Sequence, residues 1–137
     1  MFAATLPGWL LADIAGDLLA HGEILAGGGA CVATHGGGNG AVRRLRFLEA
    51  VTVTTLSSHR IIPPFGVHGG APGATGRDWA EQPDGSKVDL PGNAEIELEA
   101  GSVFVIHTPG GGGWGQPSER SAEARAKDLA QAYVSKE

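Results

Sequence analysis

His107-Thr108-Pro109 is followed by four consecutive glycines, Gly110, Gly111, Gly112 and Gly113, and then by Trp114-Gly115-Gln116-Pro117. The run comes after an apolar stretch and before a helical pattern. A glycine loop in that position can serve either of two ends. Its N–H groups can face an anion or a carbonyl oxygen. Alternatively, the missing Cβ lets the chain pass close under a neighbouring segment. Spacing alone leaves both open. No Gly-Lys-Ser/Thr follows, so the run is not a Walker A loop. His107, Gly110, Gly111, Gly112, Gly113 and Gly115 are therefore candidates for positioning an oxygen or an anion. Gly112 is expected either at positive φ or in a close backbone approach.

A second stretch, Ser57-Ser58-His59-Arg60-Ile61-Ile62-Pro63-Pro64-Phe65-Gly66, carries His59 and Arg60 from a strand end into a Gly/Pro loop. Arg60 can clamp a carboxylate or phosphate through two parallel N–H donors. Equally, Arg60 can be a surface cation and His59 a tether for its own loop. His59, Arg60 and Gly66 join the candidate set.

Other arrangements fall away. The five histidines, His21, His35, His59, His68 and His107, show no metal-ligand spacing, and no metal site is expected. Asp13, Asp17 and His21 share one face of a helix and read as a solvated face. His35-Gly36-Gly37-Gly38 shares letters with esterase oxyanion loops, but no Gly-x-Ser-x-Gly elbow accompanies it. The glycines at 36, 38 and 40 lack the third dinucleotide-binding glycine. The catalytic residues stay unknown.

These loops need a frame, and the patterning supplies a mainly β (α+β) one. Leu45 and Phe47 alternate with Arg44 and Arg46, and Val51, Val53 and Thr55 with their neighbours, as half-buried strands do. Asp84-Gly85 is a hairpin turn signal. Glu95-Ile96-Glu97-Leu98-Glu99 predicts one wet face, with the glutamates outward and Ile96 and Leu98 in the core beside Val103 and Val105. Val103 to Ile106 is an unbroken apolar run, expected to be covered on both faces. Residues 118–134 predict a helix capped by Ser118, with Ala122, Ala126, Leu129, Ala130 and Tyr133 on one side. Leu10, Leu11, Ile14, Leu18 and Leu25 suggest a weak N-terminal helix. The expected architecture is a Gly/Pro-rich antiparallel β domain with a C-terminal helix. Three segments are expected: 1–35, 36–117 with the β domain, and 118–137 with its helix.

With 137 residues, the chain is long enough for one core, and 42% apolar residues disfavour general disorder. A net charge of −5 disfavours a nucleic-acid surface. Arg43, Arg44 and Arg46 read as a solvated strand face. The stretch from Trp9 to Leu25 contains Asp13, Asp17, His21 and Glu23 and is too polar to span a membrane. One cysteine, Cys31, and no secretory n-region point to the cytoplasm.

Four motifs in order resemble one family, the hydantoinase B / 5-oxoprolinase subunits. They are Gly37-Gly38-Asn39-Gly40-Ala41-Val42-Arg43; Leu56-Ser57-Ser58-His59-Arg60 leading to Pro63-Pro64-Phe65-Gly66; Gly69-Gly70-Ala71-Pro72-Gly73 with Gly76-Arg77; and His107 through Gly115. The resemblance covers residues 36–137, the C-terminal end of a B-type subunit. It implies a hydrolase that opens a cyclic amide: 5-oxoproline to glutamate, as in glutathione metabolism, or a hydantoin. ATP and Mg²⁺ are implied for the complete enzyme, and no cofactor is expected on this chain alone. The implied partners are a hydantoinase A-type subunit or domain and the remaining B-type core. Gln116 stands where the family often has Asp. The chain is expected to be an incomplete piece, inactive alone, with residues 1–35 separable and outside the family. The rival expectation is a non-catalytic module that docks an A-type partner.

Overall fold

The computed structural model describes residues 18–24 and 33–131. The described residues form two compact units: 18–23, 41–58 and 77–107 belong to the first, and 24, 33–40, 59–76 and 108–131 to the second.

The first unit holds the strands. β1 (Leu18–Ile24), β2 (Ala41–Phe47), β4 (Arg77–Glu81), β5 (Lys87–Leu90) and β7 (Val103–His107) form a sheet in the order β1-β2-β7-β4-β5. β3 (Val51–Leu56) and β6 (Asn93–Leu98) form a two-stranded sheet. β7 is central and antiparallel to both neighbours, with Arg44 and Trp79 each in register with Val105. β3 and β6 pair from Val51↔Leu98 to Leu56↔Asn93.

Leu98 from the small sheet meets Ala80 and Phe104 from the large one, and Leu45, Phe47, Val51, Val53, Leu90, Ile96 and Ile106 pack around them. Leu98 and Val105 are buried at 2% and 0% exposure, whereas Ile96 and Val103 are half-buried. Glu95, Glu97 and Glu99 face outward as the alternation requires. The apolar run of β7 is covered on both sides. Phe104 and Ile106 enter the core, and alternation puts Val105 on the opposite face.

That opposite face is polar. Arg44 pairs with Glu81, Trp79 Nε1–H donates to Glu81 Oε1 at 2.9 Å, and the Lys87 ammonium lies 4.1 Å from the Trp79 ring centroid. Arg43 and Arg46 are exposed, while Arg44 is half-buried by its partner. The Arg44 hydrogen bond, then that of Trp79, holds the Glu81 carboxyl below its usual range. A depressed carboxylate contributes stability above its unfolded pKa and loses it as pH falls through the folded value. Both side chains are more than a third exposed, so solvent screening limits the contribution to at most about 1 kcal/mol. Glu81→Gln is expected to flatten the acid limb of stability between about pH 6 and about pH 3. Urea unfolding curves that depend on pH identically in both proteins would show that the pair adds nothing.

The β4–β5 turn is the hairpin that Asp84-Gly85 signals. Gly85 has φ 85°, the Gln82 N–H donates to Ser86 O at 2.8 Å, and Asp84 Oδ1 accepts from the Ser86 N–H at 2.8 Å.

Two expectations change. Over Leu18–Ile24 the weak N-terminal helix gives way to strand β1; the rest of that expectation, with Leu10, Leu11, Ile14 and Leu25, lies outside the described residues. A helix there would carry Gly22 in its interior, whereas the strand satisfies the free edge of β2. The C-terminal helix begins later than expected. Pro117–Glu119 forms a single 3₁₀ turn, Arg120 is extended, and α1 runs Ala122–Ala130. Its N-cap is Ser121, whose hydroxyl accepts from the Ala124 N–H at 3.2 Å, and not Ser118. Arg120 explains the interruption: its guanidinium grips Asp128 at 2.7 Å and the Thr34 carbonyl at 2.7 Å. The apolar residues of α1 are largely exposed, and Tyr133 lies outside the described residues. Residues 33–35 pack within the second unit. Ala33 is fully buried, and Thr34 and His35 bond to the 114–116 segment.

Candidate functional site

The second unit is organised around the glycine run. Residues 110–115 lie between two other segments, and backbone hydrogen bonds join them on both sides. Toward 34–38, the Gly111 N–H donates to Gly38 O at 2.8 Å, and His35 and Trp114 exchange N–H···O bonds of 2.9 and 3.0 Å. Toward 64–74, the N–H groups of Gly110, Gly113 and Gly115 donate to Ala74, Ala71 and Val67 at 3.0, 3.0 and 2.9 Å. Four of the N–H groups offered to an anion by the sequence reading are thus committed to neighbouring carbonyls.

The glycines are there because backbone touches backbone. A Cβ built at Gly112 would sit 1.9 Å from the Phe65 carbonyl oxygen, and one at Gly37 would sit 2.1 Å from Gly111 O. Neither residue has positive φ. Close passage is a use the chain makes of Gly37 and Gly112.

The other candidates are distributed as follows. Gly66 is a further close approach, against Gly70 O. His59 is exposed and left-handed at φ 55°, and its Nδ1–H donates to Ile62 O at 3.0 Å. It tethers its own loop. Arg60 follows it, half-buried. His107 ends β7 in the first unit, in register with Val42 and Arg77, so it does not share a unit with the glycines.

Features that spacing did not reveal also stand out. His35 and His68 each lie 5.4 Å from Trp114, ring centroid to centroid. His68 is left-handed at φ 50°. The Asn39 Oδ1 atom is buried with no hydrogen-bond partner among the described residues. In the first unit, Asp78 is 2% exposed and accepts from the Ser57 hydroxyl at 2.9 Å. A cleft of about 470 Å³ there is lined by Asp84, Glu97 and Glu99 among others, none of them a candidate. Among the described residues, no group of three or more His, Cys, Asp or Glu is placed to hold a metal ion, and no helix is long and apolar enough to cross a membrane.

The hydantoinase B/oxoprolinase family model matches residues 26–117, so the match begins ten residues before the boundary expected at residue 36. The chain is 43% identical over 81 residues to 5-oxoprolinase of Saccharomyces cerevisiae, covering 58% of this chain and 6% of that protein. It is 40% identical over 81 residues to 5-oxoprolinase 1 of Arabidopsis thaliana, covering 59% and 6%. An uncharacterized protein of Methanocaldococcus jannaschii is 33% identical over 99 residues, covering 72% and 17%. The chain therefore spans only a small part of the length of these curated relatives. Its fold matches that of a chain of nucleotide-free acetone carboxylase with a TM-score of 0.68 at 20% identity, over 86% of this chain and 20% of that one. With a family match over most of its length and the glycine segments inside it, this chain belongs to the hydantoinase B/oxoprolinase family.

Proposed function

We propose that the chain supplies a β-rich portion of a 5-oxoprolinase/hydantoinase B-type hydrolase, which opens a cyclic amide with ATP and Mg²⁺ once assembled with the B-type core and an A-type partner. The observation that carries this reading is the family match over residues 26–117 in a chain whose aligned stretch covers 6% of the yeast relative. The local chemistry supports a scaffolding share of that activity. The glycine N–H groups bond to neighbouring carbonyls, and backbone bonds at Pro64 and Val67 hold the loop that follows Arg60. Positioning of this kind acts on a substrate that other groups have activated. Neither a Walker A lysine loop nor a kinase-type glycine loop is legible in the sequence for phosphoryl transfer.

The test is a coupled assay for glutamate and ADP from 5-oxoproline. The chain alone, with ATP and Mg²⁺, is expected to release neither. Addition of the core and an A-type partner is expected to give ATP-dependent glutamate release. Turnover by the chain alone, lost in Arg60→Ala, would overturn the proposal. The second reading is a non-catalytic assembly module, and the exposed apolar loop beside Arg60 favours it. On that reading the assembled complex forms whether or not Arg60 is intact, and turnover is unaffected by Arg60→Ala.

A further inference from the structure

The geometry points to the loop between His59 and His68 as the seat on which the remaining hydantoinase B-type polypeptide docks; this rests on the reading of the chain as part of such an assembly. Ile61, Phe65 and Ile62 are 90%, 79% and 75% exposed, and the partly exposed Val67 is bridged to the partly exposed Trp114. Scattered exposed apolar residues are ordinary on a protein surface, but four of them within one seven-residue stretch are the concentration expected of an interaction site.

The loop is also held in one shape while its side chains stay outside the core. His59 and His68, the two non-glycine residues with positive φ among those described, stand at its ends. Val67 N–H bonds to Gly113 O at 2.8 Å, Gly73 N–H bonds to Pro64 O at 2.9 Å, and His59 closes on Ile62 O. Pro63 and Pro64 stiffen the middle. Little conformational freedom is left to lose on binding, the condition under which exposed apolar anchors are most effective.

The occupant follows from the proportions of the relatives. The matched region is 6% of the yeast and Arabidopsis proteins, and this fold covers 20% of the acetone carboxylase chain. Most of a family polypeptide thus lies outside this chain and supplies the apolar surface that these residues lack. An anionic membrane fits less well, because residues 61–68 contain no Lys or Arg and the chain's net charge is −5.

The test uses the full chain, fluorescently labelled, and purified yeast 5-oxoprolinase from which the matching 81 residues are deleted. The wild-type chain is expected to bind, and Ile61→Asp/Phe65→Asp to bind at least about tenfold more weakly. Leu56→Asp, at an equally exposed apolar position outside the loop, is expected to bind as wild type. If the deleted yeast protein does not fold, the chain is inserted in place of the missing stretch and melting temperature is read, with the same ranking expected. Equal binding or melting of the double variant, or neither binding nor a folded insertion with the wild type, overturns the proposal. Self-association of the chain that the double variant abolishes, without binding to the yeast protein, overturns it in favour of a second copy. Binding without turnover counts against the functional reading and spares the surface; full turnover with the double variant counts against the surface alone.

Discussion

Gly112→Val is expected to produce the largest loss of stability among single changes in the second unit, about 3 kcal/mol or more. The cause is contact: the added Cβ would meet the Phe65 carbonyl oxygen at 1.9 Å, and the next atoms are also backbone. A flexible side chain could swing away, but a carbonyl held by its own strand of chain cannot. Relief requires that residues 110–115 separate from 64–74, which breaks the hydrogen bonds described above. Gly37→Ala is expected to follow, since its Cβ would lie 2.1 Å from Gly111 O. Gly38→Ala supplies the control: nothing lies within 4 Å of its Cβ and its φ is not positive, so its effect should stay within about 0.5 kcal/mol. Urea unfolding followed by tryptophan fluorescence separates the three. A Gly112→Val midpoint equal to that of Gly38→Ala would remove the close-contact account.

Phe104→Ala should cost about 3–5 kcal/mol, comparable to a large share of a small domain's total stability. Phe104 is 6% exposed on the central strand, where it joins Ala80 of β4 and Leu98 of β6. Its removal opens a cavity between the two sheets, and the neighbours are held by β7's two flanking ladders. Leu56, at 89% exposure, makes the contrast, and Leu56→Ala should be nearly silent. A loss below about 1 kcal/mol for Phe104→Ala, in thermal or urea unfolding, would mean that the two sheets do not depend on this contact.

The sheets were legible because their signals are local. Glu95 to Leu98 alternates cleanly, and one face of β6 is buried in that register. Asp84-Gly85 names its own turn, because the αL position at Gly85 and the Asp84 side-chain acceptor are both written in two letters. The N-terminal strand was not legible: Leu18–Ile24 carries Gly22 and no alternation, and only the open edge of β2 makes it a strand. Ser118 looked like a cap from its place after Pro117. The helix starts later because Arg120 answers to Thr34, 86 residues away, and to Asp128. The glycine run gave its location but not its use. Whether an N–H faces a ligand or a neighbouring carbonyl depends on which segments lie alongside, and residues 34–38 and 64–74 are distant in sequence. The left-handed backbone of His59 and His68 is equally invisible in composition, since neither residue type requires it.

The backbone-to-backbone packing of the second unit has a genetic consequence. Any base substitution that changes a glycine codon to that of another amino acid installs at least a Cβ. At Gly37, Gly66, Gly70, Gly73 and Gly112, that atom would fall within 2.4 Å of a carbonyl oxygen. No missense step away from these positions is small, in contrast to a hydrophobic core, where leucine, isoleucine, valine and methionine interchange by degrees. Laboratory evolution of this chain is therefore expected to accumulate its tolerated changes in the sheets and on the exposed loop, while the glycine positions admit almost none.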